Sequence, residues 1–230
     1  MNLPNALTVG RIAITPLIAI LPFAPATTPR LLAFILFLFA AVSDYADGVL
    51  ARSRKQETTL GKLLDPLADK LLLIGTFIPM WALMQSANGG LSGSSFATSD
   101  LSLRALPFVT PWGDVSLPWW IVVIVLGREL AMTIFRQAAA RRGVVIAAIG
   151  PAKLKTVFQL VWQGAAYFWF VVATVALTHA WSGAAWRGLA FFIGTAGTTV
   201  MSIAILLTLY SLWLYVSRYG RVFVQSRARS

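Results

Sequence analysis

Residues 31–84 read LLAFILFLFAAVSDYADGVLARSRKQETTLGKLLDPLADKLLLIGTFIPMWALM. Two apolar runs, Leu31–Leu50 and Leu63–Met84, are each long enough to cross a bilayer, which takes about 20 residues as a helix. Near the facing ends of them fall Asp44, Asp47, Asp65 and Asp69, four carboxylates within 26 residues of a chain with only eight acidic side chains. Ionised groups at the ends of membrane spans are costly, and they mark function more often than they mark structure. On a helix Asp44 and Asp47 are three apart and Asp65 and Asp69 four apart, so each pair shares one face. Two such helices meeting at their polar ends gather four oxygen donors, the ligand set of a hard divalent cation, Mg²⁺ or Mn²⁺. Four packed anions repel one another unless cations neutralise them, so one or two bound ions and an anionic substrate are expected.

The rest of the chain agrees with a membrane setting. It has 230 residues, 58% of them hydrophobic, a mean hydropathy of +0.75 and only 12% charged residues. A soluble domain of this size does not run so apolar. Six spans are expected, at Val9–Phe23, Leu31–Leu50, Leu63–Met84, Leu117–Ala138, Thr156–Thr178 and Leu189–Val216, the first extending back into Asn2–Thr8. The fold expected is therefore an all-α polytopic membrane protein with six transmembrane helices, residues 1–230 forming one domain. There is no cysteine, which excludes disulfides, thiolate metal sites and a cysteine nucleophile. The single histidine, His179, has no histidine or acidic neighbour and reads as an exposed loop residue.

Net charge is +11, but the basic residues are spread over loops with no recognition helix or stacking platform, so nucleic acid is not the expected partner. Their distribution instead sets topology. Arg11, then Arg52, Arg54, Lys55, Lys62 and Lys70, then Arg128, Arg136, Arg141, Arg142, Lys153 and Lys155, then Arg218, Arg221, Arg227 and Arg229 belong to one side. That is 16 of the 19 basic residues. Only Arg30, Arg104 and Arg187 belong to the other. The bias places both termini and the aspartates in the cytoplasm. A cleaved leader is disfavoured by Pro25 within Ala24-Pro25-Ala26 and by a basic residue as late as Arg11. The stretch Gln85–Ser116, rich in Gly, Ser and Thr, reads as a flexible extracytoplasmic loop, with Trp112, Trp119 and Trp120 as headgroup-level belt residues.

Small residues accompany the carboxylates. Gly48 and Ala51 lie three apart on the aspartate face and let a flat base or a diphosphate approach the helix, and Gly61 lets the next helix come close. Ordinary helix packing explains the glycines equally well. Arg52 stands one turn past Asp47 and Gly48, in reach of a phosphoryl oxygen. A second constellation lies further along: Gly127-Arg128-Glu129, Arg136, and Gly150-Pro151-Ala152-Lys153-Leu154-Lys155-Thr156. Arg128 and Arg136 are two turns apart on one helical face. Arg128 lies well inside an apolar span, and Glu129 points about 100° away, so an anion brought by substrate is the partner expected for it.

The pattern Asp44-x-x-Asp47-Gly48-x-x-Ala51-Arg52, eight residues, Gly61, three residues, Asp65-x-x-x-Asp69 resembles the signature of the CDP-alcohol phosphotransferases. The Arg128–Glu129, Arg136 and Gly150-x-x-Lys153-x-Lys155-Thr156 elements, with Asn2-Leu3-Pro4-Asn5-Ala6-Leu7-Thr8-x-x-Arg11, resemble the phosphatidylglycerolphosphate synthase branch. The resemblance implies a dimeric enzyme of the cell (inner) membrane. It implies transfer of a phosphatidyl group from CDP-diacylglycerol to sn-glycerol 3-phosphate, with release of CMP. Carried over, it makes Asp44, Asp47 and Asp65 metal ligands, Asp69 the general base with a secondary metal role, and Gly48, Ala51, Arg52 and Gly61 the CDP-binding residues. Arg128, Arg136, Lys153 and Lys155 become the holders of the acceptor phosphate. Two alternatives stay open: another acceptor such as inositol 1-phosphate, and a cation transporter, against which stands the location of all four aspartates at one membrane face.

Overall fold

A computed structural model describes residues 3–53, 59–85, 101–141 and 150–224, with side chains at 5–44, 61, 64–85, 101–141, 150 and 154–217. Six long helices dominate: α1 (Leu3–Ile20, followed by a 3-10 turn at Leu21–Phe23), α2 (Thr27–Ser53), α3 (Thr59–Leu83), α4 (Trp119–Ala140), α5 (Gly150–Thr178) and α6 (Ala184–Val224). Five contain stretches long and apolar enough to cross a membrane: Asn5–Phe23, Thr27–Asp44, Leu64–Leu83, Leu154–Thr178 and Ala184–Ser217. The sixth, α4, has the length, but every 18-residue stretch of it includes Arg128, Glu129 and Arg136. Helices satisfy their own backbone polar groups, which is why an apolar chain in lipid takes this form. The chain is an all-α polytopic membrane protein.

Each helix after the first begins before its apolar run, ends after it, or both. Helix α2 continues through Asp44 and Asp47 to Ser53, and α3 begins at Thr59, ahead of Asp65 and Asp69. The aspartates therefore ride on helix and not on loop.

The chain divides into two compact units, Met1–Leu117 with Gln163–Gly197, and Pro118–Trp162 with Thr198–Ser230. In the first, α1 packs on both α2 and α3. Its core contains Phe37, Phe77, Met80, Phe108, Tyr167 and Trp169, all essentially inaccessible. Tyr167 stacks on Phe37 with ring centroids 5.5 Å apart and donates its hydroxyl to the carbonyls of Ile18 and Thr76. Trp169 lies parallel to Trp186 at 6.0 Å and donates Nε1–H to the Pro107 carbonyl at 2.9 Å. In the second unit the packed side chains include Ile121, Val125, Met132, Trp162, Met201 and Tyr215.

The expected flexible loop is corrected over its second half. Residues Phe108–Thr110 (β1) and Gly113–Val115 (β2) form an antiparallel hairpin, and Leu101, Leu106, Phe108, Val109 and Leu117 are buried. The Leu106 N–H donates to the Leu83 carbonyl and the Leu117 N–H to that of Met84, so both ends are tied to the end of α3. The Gly- and Ser-rich composition belongs to residues 86–100, which lie outside the described residues. From Leu101 onward the sequence turns apolar and packs. Gly194 and Gly197 of α6 make room for it: a Cβ at Gly194 would stand 1.9 Å from the Val109 carbonyl oxygen, and one at Gly197 2.4 Å from the Phe108 ring.

Arg30, which the charge count leaves as an outside flank residue, is also buried here. Its Nε donates to the Pro22 carbonyl at 3.0 Å, and its two terminal nitrogens to Thr174 and to the Leu103 carbonyl. It clamps the hairpin segment to the helices. His179 sits exposed in the turn after α5, and Trp112, Trp119 and Trp120 are exposed.

Candidate active site

Three of the four aspartates have described side chains, and all three meet α1. Arg11 donates from the same atom, Nη1, to the carboxylate of Asp44 on α2 and to Asp69 Oδ1 on α3 at 2.9 Å. One turn earlier on α1, the Thr8 hydroxyl donates to Asp65 Oδ1 at 2.9 Å. Arg11 is 1% exposed, whereas the side chains of Asp44 and Asp69 are 45% and 58% exposed. The cation is thus sunk in the helix packing, and the carboxylates that it meets are about half exposed. The donor set is all carboxylate, the chemistry a hard divalent cation takes. Among the described residues no three acidic groups close on a common point; Asp44 and Asp69 close on the guanidinium of Arg11.

Asp47, Gly48, Ala51 and Arg52 are on α2 as the spacing predicts, but their side chains lie outside the described residues. Gly61 is buried in the first turn of α3, a position where a small residue lets neighbouring chain come close.

A second polar cluster lies in the other unit. Arg128 on α4 donates Nη1–H to Glu129 Oε1 at 2.9 Å and Nη2–H to Ser211 Oγ on α6 at 2.9 Å. Lys155, on α5 and 3% exposed, donates to the same Glu129 oxygen. Arg136 donates to the Tyr215 hydroxyl at 3.2 Å and lies over its ring, 5.7 Å from the centroid. Lys153 is on α5, its side chain outside the described residues.

The expectation that Arg128 needs an external anion because Glu129 points away is corrected. Adjacent Cβ atoms do diverge by about 100°, but both side chains are long enough to bend together, and Arg128 is neutralised within its own unit. The cluster nevertheless remains cationic. Arg128 and Lys155 share one carboxylate, Glu129, and Arg136 stands near enough to Lys155 for their charges to repel.

Sequence reasoning missed Arg11, Thr8 and Glu129 as parts of these clusters. The signal for Arg11 was present, since a guanidinium inside an apolar span needs a partner. The charge count uses Arg11 for topology and the Asn2–Arg11 opening uses it for resemblance, and neither gives it a partner. Helical angle alone turns Glu129 away from Arg128 and hides the pairing.

The family model for CDP-alcohol phosphatidyltransferase matches residues 1–186. Among curated proteins, a probable phosphatidylglycerophosphate synthase of Mycobacterium tuberculosis is 31% identical over 94% of this chain and 81% of its own length. A CDP-diacylglycerol–glycerol-3-phosphate 3-phosphatidyltransferase of Bacillus subtilis is 33% identical over 70% of this chain and 73% of its own. A chloroplastic/mitochondrial enzyme of the same description from Arabidopsis thaliana is 26% identical over 89% of this chain and 61% of its own. The matched region contains all four aspartates and both polar clusters' α3, α4 and α5 residues, and the chain belongs to the CDP-alcohol phosphatidyltransferase family.

Proposed function

We propose that this chain transfers the phosphatidyl group of CDP-diacylglycerol to sn-glycerol 3-phosphate, releasing CMP and forming phosphatidylglycerol phosphate. The observation that carries the reading is the convergence of Asp44, Asp65 and Asp69, from two helices, on the buried polar face of α1. Asp44, Asp47 and Asp65, with Asp69, would hold Mg²⁺ or Mn²⁺, which when bound supplies positive charge to the donor's diphosphate and to the departing CMP. Gly48 and Ala51 on α2 leave that helix face low enough for the cytidine and its diphosphate, Gly61 does the same on α3, and Arg52 pairs with a phosphoryl oxygen.

Asp69 accepts the proton of the acceptor's hydroxyl. The hydroxyl oxygen forms a bond to the phosphatidyl phosphorus as the bond from that phosphorus to the CMP oxygen breaks. Little covalent work falls to the protein in such a transfer, so positioning and charge account for most of the rate. The surplus of cations over Glu129 supports a phosphorylated acceptor, with Arg128, Arg136, Lys153 and Lys155 as its phosphate holders. The names of the relatives support glycerol 3-phosphate among such acceptors. The charge bias supports an orientation with termini and aspartates in the cytoplasm, and the resemblance supports the cell (inner) membrane.

The test is release of CMP from CDP-diacylglycerol by purified protein in the presence of Mg²⁺ or Mn²⁺, with a panel of acceptors. Glycerol 3-phosphate should be used well and plain glycerol poorly, because glycerol leaves the cations unpaired. Equal use of glycerol or inositol 1-phosphate refutes the acceptor assignment, and no CMP release with any acceptor refutes the chemistry.

A further inference from the structure

Asn5, Thr8, Arg11 and Thr15 are spaced three, three and four apart, which aligns them on one face of α1. They are 7%, 1%, 1% and 5% exposed within a span of mean hydropathy 1.8. Polar side chains buried in such a span persist only where partners meet them. For Thr8 and Arg11 the partners are carboxylates of α2 and α3. Depth along α1 is fixed as well: Thr15 returns its hydroxyl to the Arg11 carbonyl at 2.7 Å, and a Cβ at Gly75 of α3 would stand 2.8 Å from the Thr15 methyl. Helix α1 cannot shift on α3 without moving Arg11 off Asp69.

One nitrogen of Arg11 contacts carboxylates from both helices. A single divalent ion bridging the same two carboxylates would make the same connection, at metal–oxygen distances of about 2.1 Å for Mg²⁺, against 2.9 Å for Arg11 to Asp69. The two would compete, since both cations draw on the carboxylates of Asp44 and Asp69 that one guanidinium nitrogen already contacts.

We infer that Arg11 is the resident counter-cation of the aspartate cluster, a positioning residue that holds Asp44 and Asp69 in register without metal and is displaced from between them when the divalent ion binds. This rests on the reading of the cluster as a divalent-cation site. Its consequence is a sign. A residue that merely supported the fold or helped to ligate would, when removed, weaken metal binding. A resident competitor of like charge would, when removed, strengthen it.

The experiment measures Mn²⁺ binding to the full-length protein in detergent, by calorimetry and by the free-ion paramagnetic signal, for wild type, Arg11→Gln and Arg11→Lys. Arg11→Gln should lower the Kd about tenfold. Arg11→Lys, which keeps the charge but loses the planar fork, should lower it by less. In chelator, Arg11→Gln should melt below wild type, and added Mn²⁺ should restore more stability to it than to wild type. An unchanged or raised Kd in both variants overturns the inference. If Arg11→Gln does not fold, the direction of the Kd change in Arg11→Lys decides alone. Binding to neither wild type nor variants refutes the metal reading of the cluster itself, an outcome distinct from wild-type binding that Arg11 does not influence.

Discussion

Replacing Arg136 with alanine should damage use of the phosphorylated acceptor more than replacing Arg128 does. Considered without the structure, Arg128 is the stronger choice, because it lies deeper in an apolar span. The structure reverses the order. Arg128 is 6% exposed in its side chain and already paired to Glu129 at 2.9 Å, so much of its charge is spent within the protein. Arg136 is exposed, and its recorded partners among the described residues are the uncharged hydroxyl and ring of Tyr215. Its charge is available to a phosphate. A charge-assisted bond to phosphate contributes about 1.5–3 kcal/mol, which converts to a ten- to hundredfold rise in the acceptor's apparent KM for Arg136→Ala. The fold should lose roughly 1–2 kcal/mol, for the cation–π contact and the hydrogen bond that Arg136 makes to the buried Tyr215.

Arg128→Ala removes a buried hydrogen bond to Ser211 and a part-buried one to the Glu129 carboxylate, at a cost of about 1.5–3 kcal/mol to the fold. Lys155 stays on Glu129, so the carboxylate is not stranded. The acceptor KM should rise by roughly three- to tenfold, since Arg128's charge was partly cancelled at the start. The assay is initial-rate CMP release at saturating CDP-diacylglycerol with varied glycerol 3-phosphate, beside thermal melts of the same preparations. The apparent KM for CDP-diacylglycerol should barely move in either variant. An acceptor KM for Arg136→Ala within about threefold of wild type refutes the reasoning, as does a larger KM effect from a well-folded Arg128→Ala.

Asp44→Asn, Asp47→Asn and Asp65→Asn should each abolish most turnover while the protein still inserts, each removing a charge from the cluster; wild-type turnover at saturating Mg²⁺ in any of them takes that residue out of the ligand set. Asp69→Asn should lower turnover by ~10²–10⁴-fold, because an amide cannot take the acceptor's proton. Donor binding should suffer less there than in Asp44→Asn, and equal loss of donor binding would make Asp69 chiefly a ligand. Gly194→Ala should lower thermal stability by about 1–3 kcal/mol or more, since its Cβ would stand 1.9 Å from the Val109 carbonyl oxygen and 2.7 Å from its carbon. Gly188→Ala, whose Cβ meets nothing within 4 Å, is the matched control, and equal melting of the two variants would refute the packing of the hairpin on α6.

Local information in the chain was enough for the helices, the membrane setting and the carboxylate pattern. Runs of some 20 apolar residues admit one backbone solution in lipid, and the three- and four-residue spacings of Asp44, Asp47, Asp65 and Asp69 fix a shared face before any packing is known. What the sequence could not determine is which groups from distant segments neutralise one another. Arg11 is 33 residues from Asp44 and 58 from Asp69, and only the packing of α1 on both α2 and α3 turns a flank charge into their common partner. The same holds for Glu129, whose pairing with Lys155 spans 26 residues, and for the segment after Leu101, whose apolar residues became core only when Gly194 and Gly197 gave them a surface to meet. Spacing along a helix decides which side chains face together. Charge compensation in a low-dielectric interior depends on distances between helices, and those arise only when the helices pack.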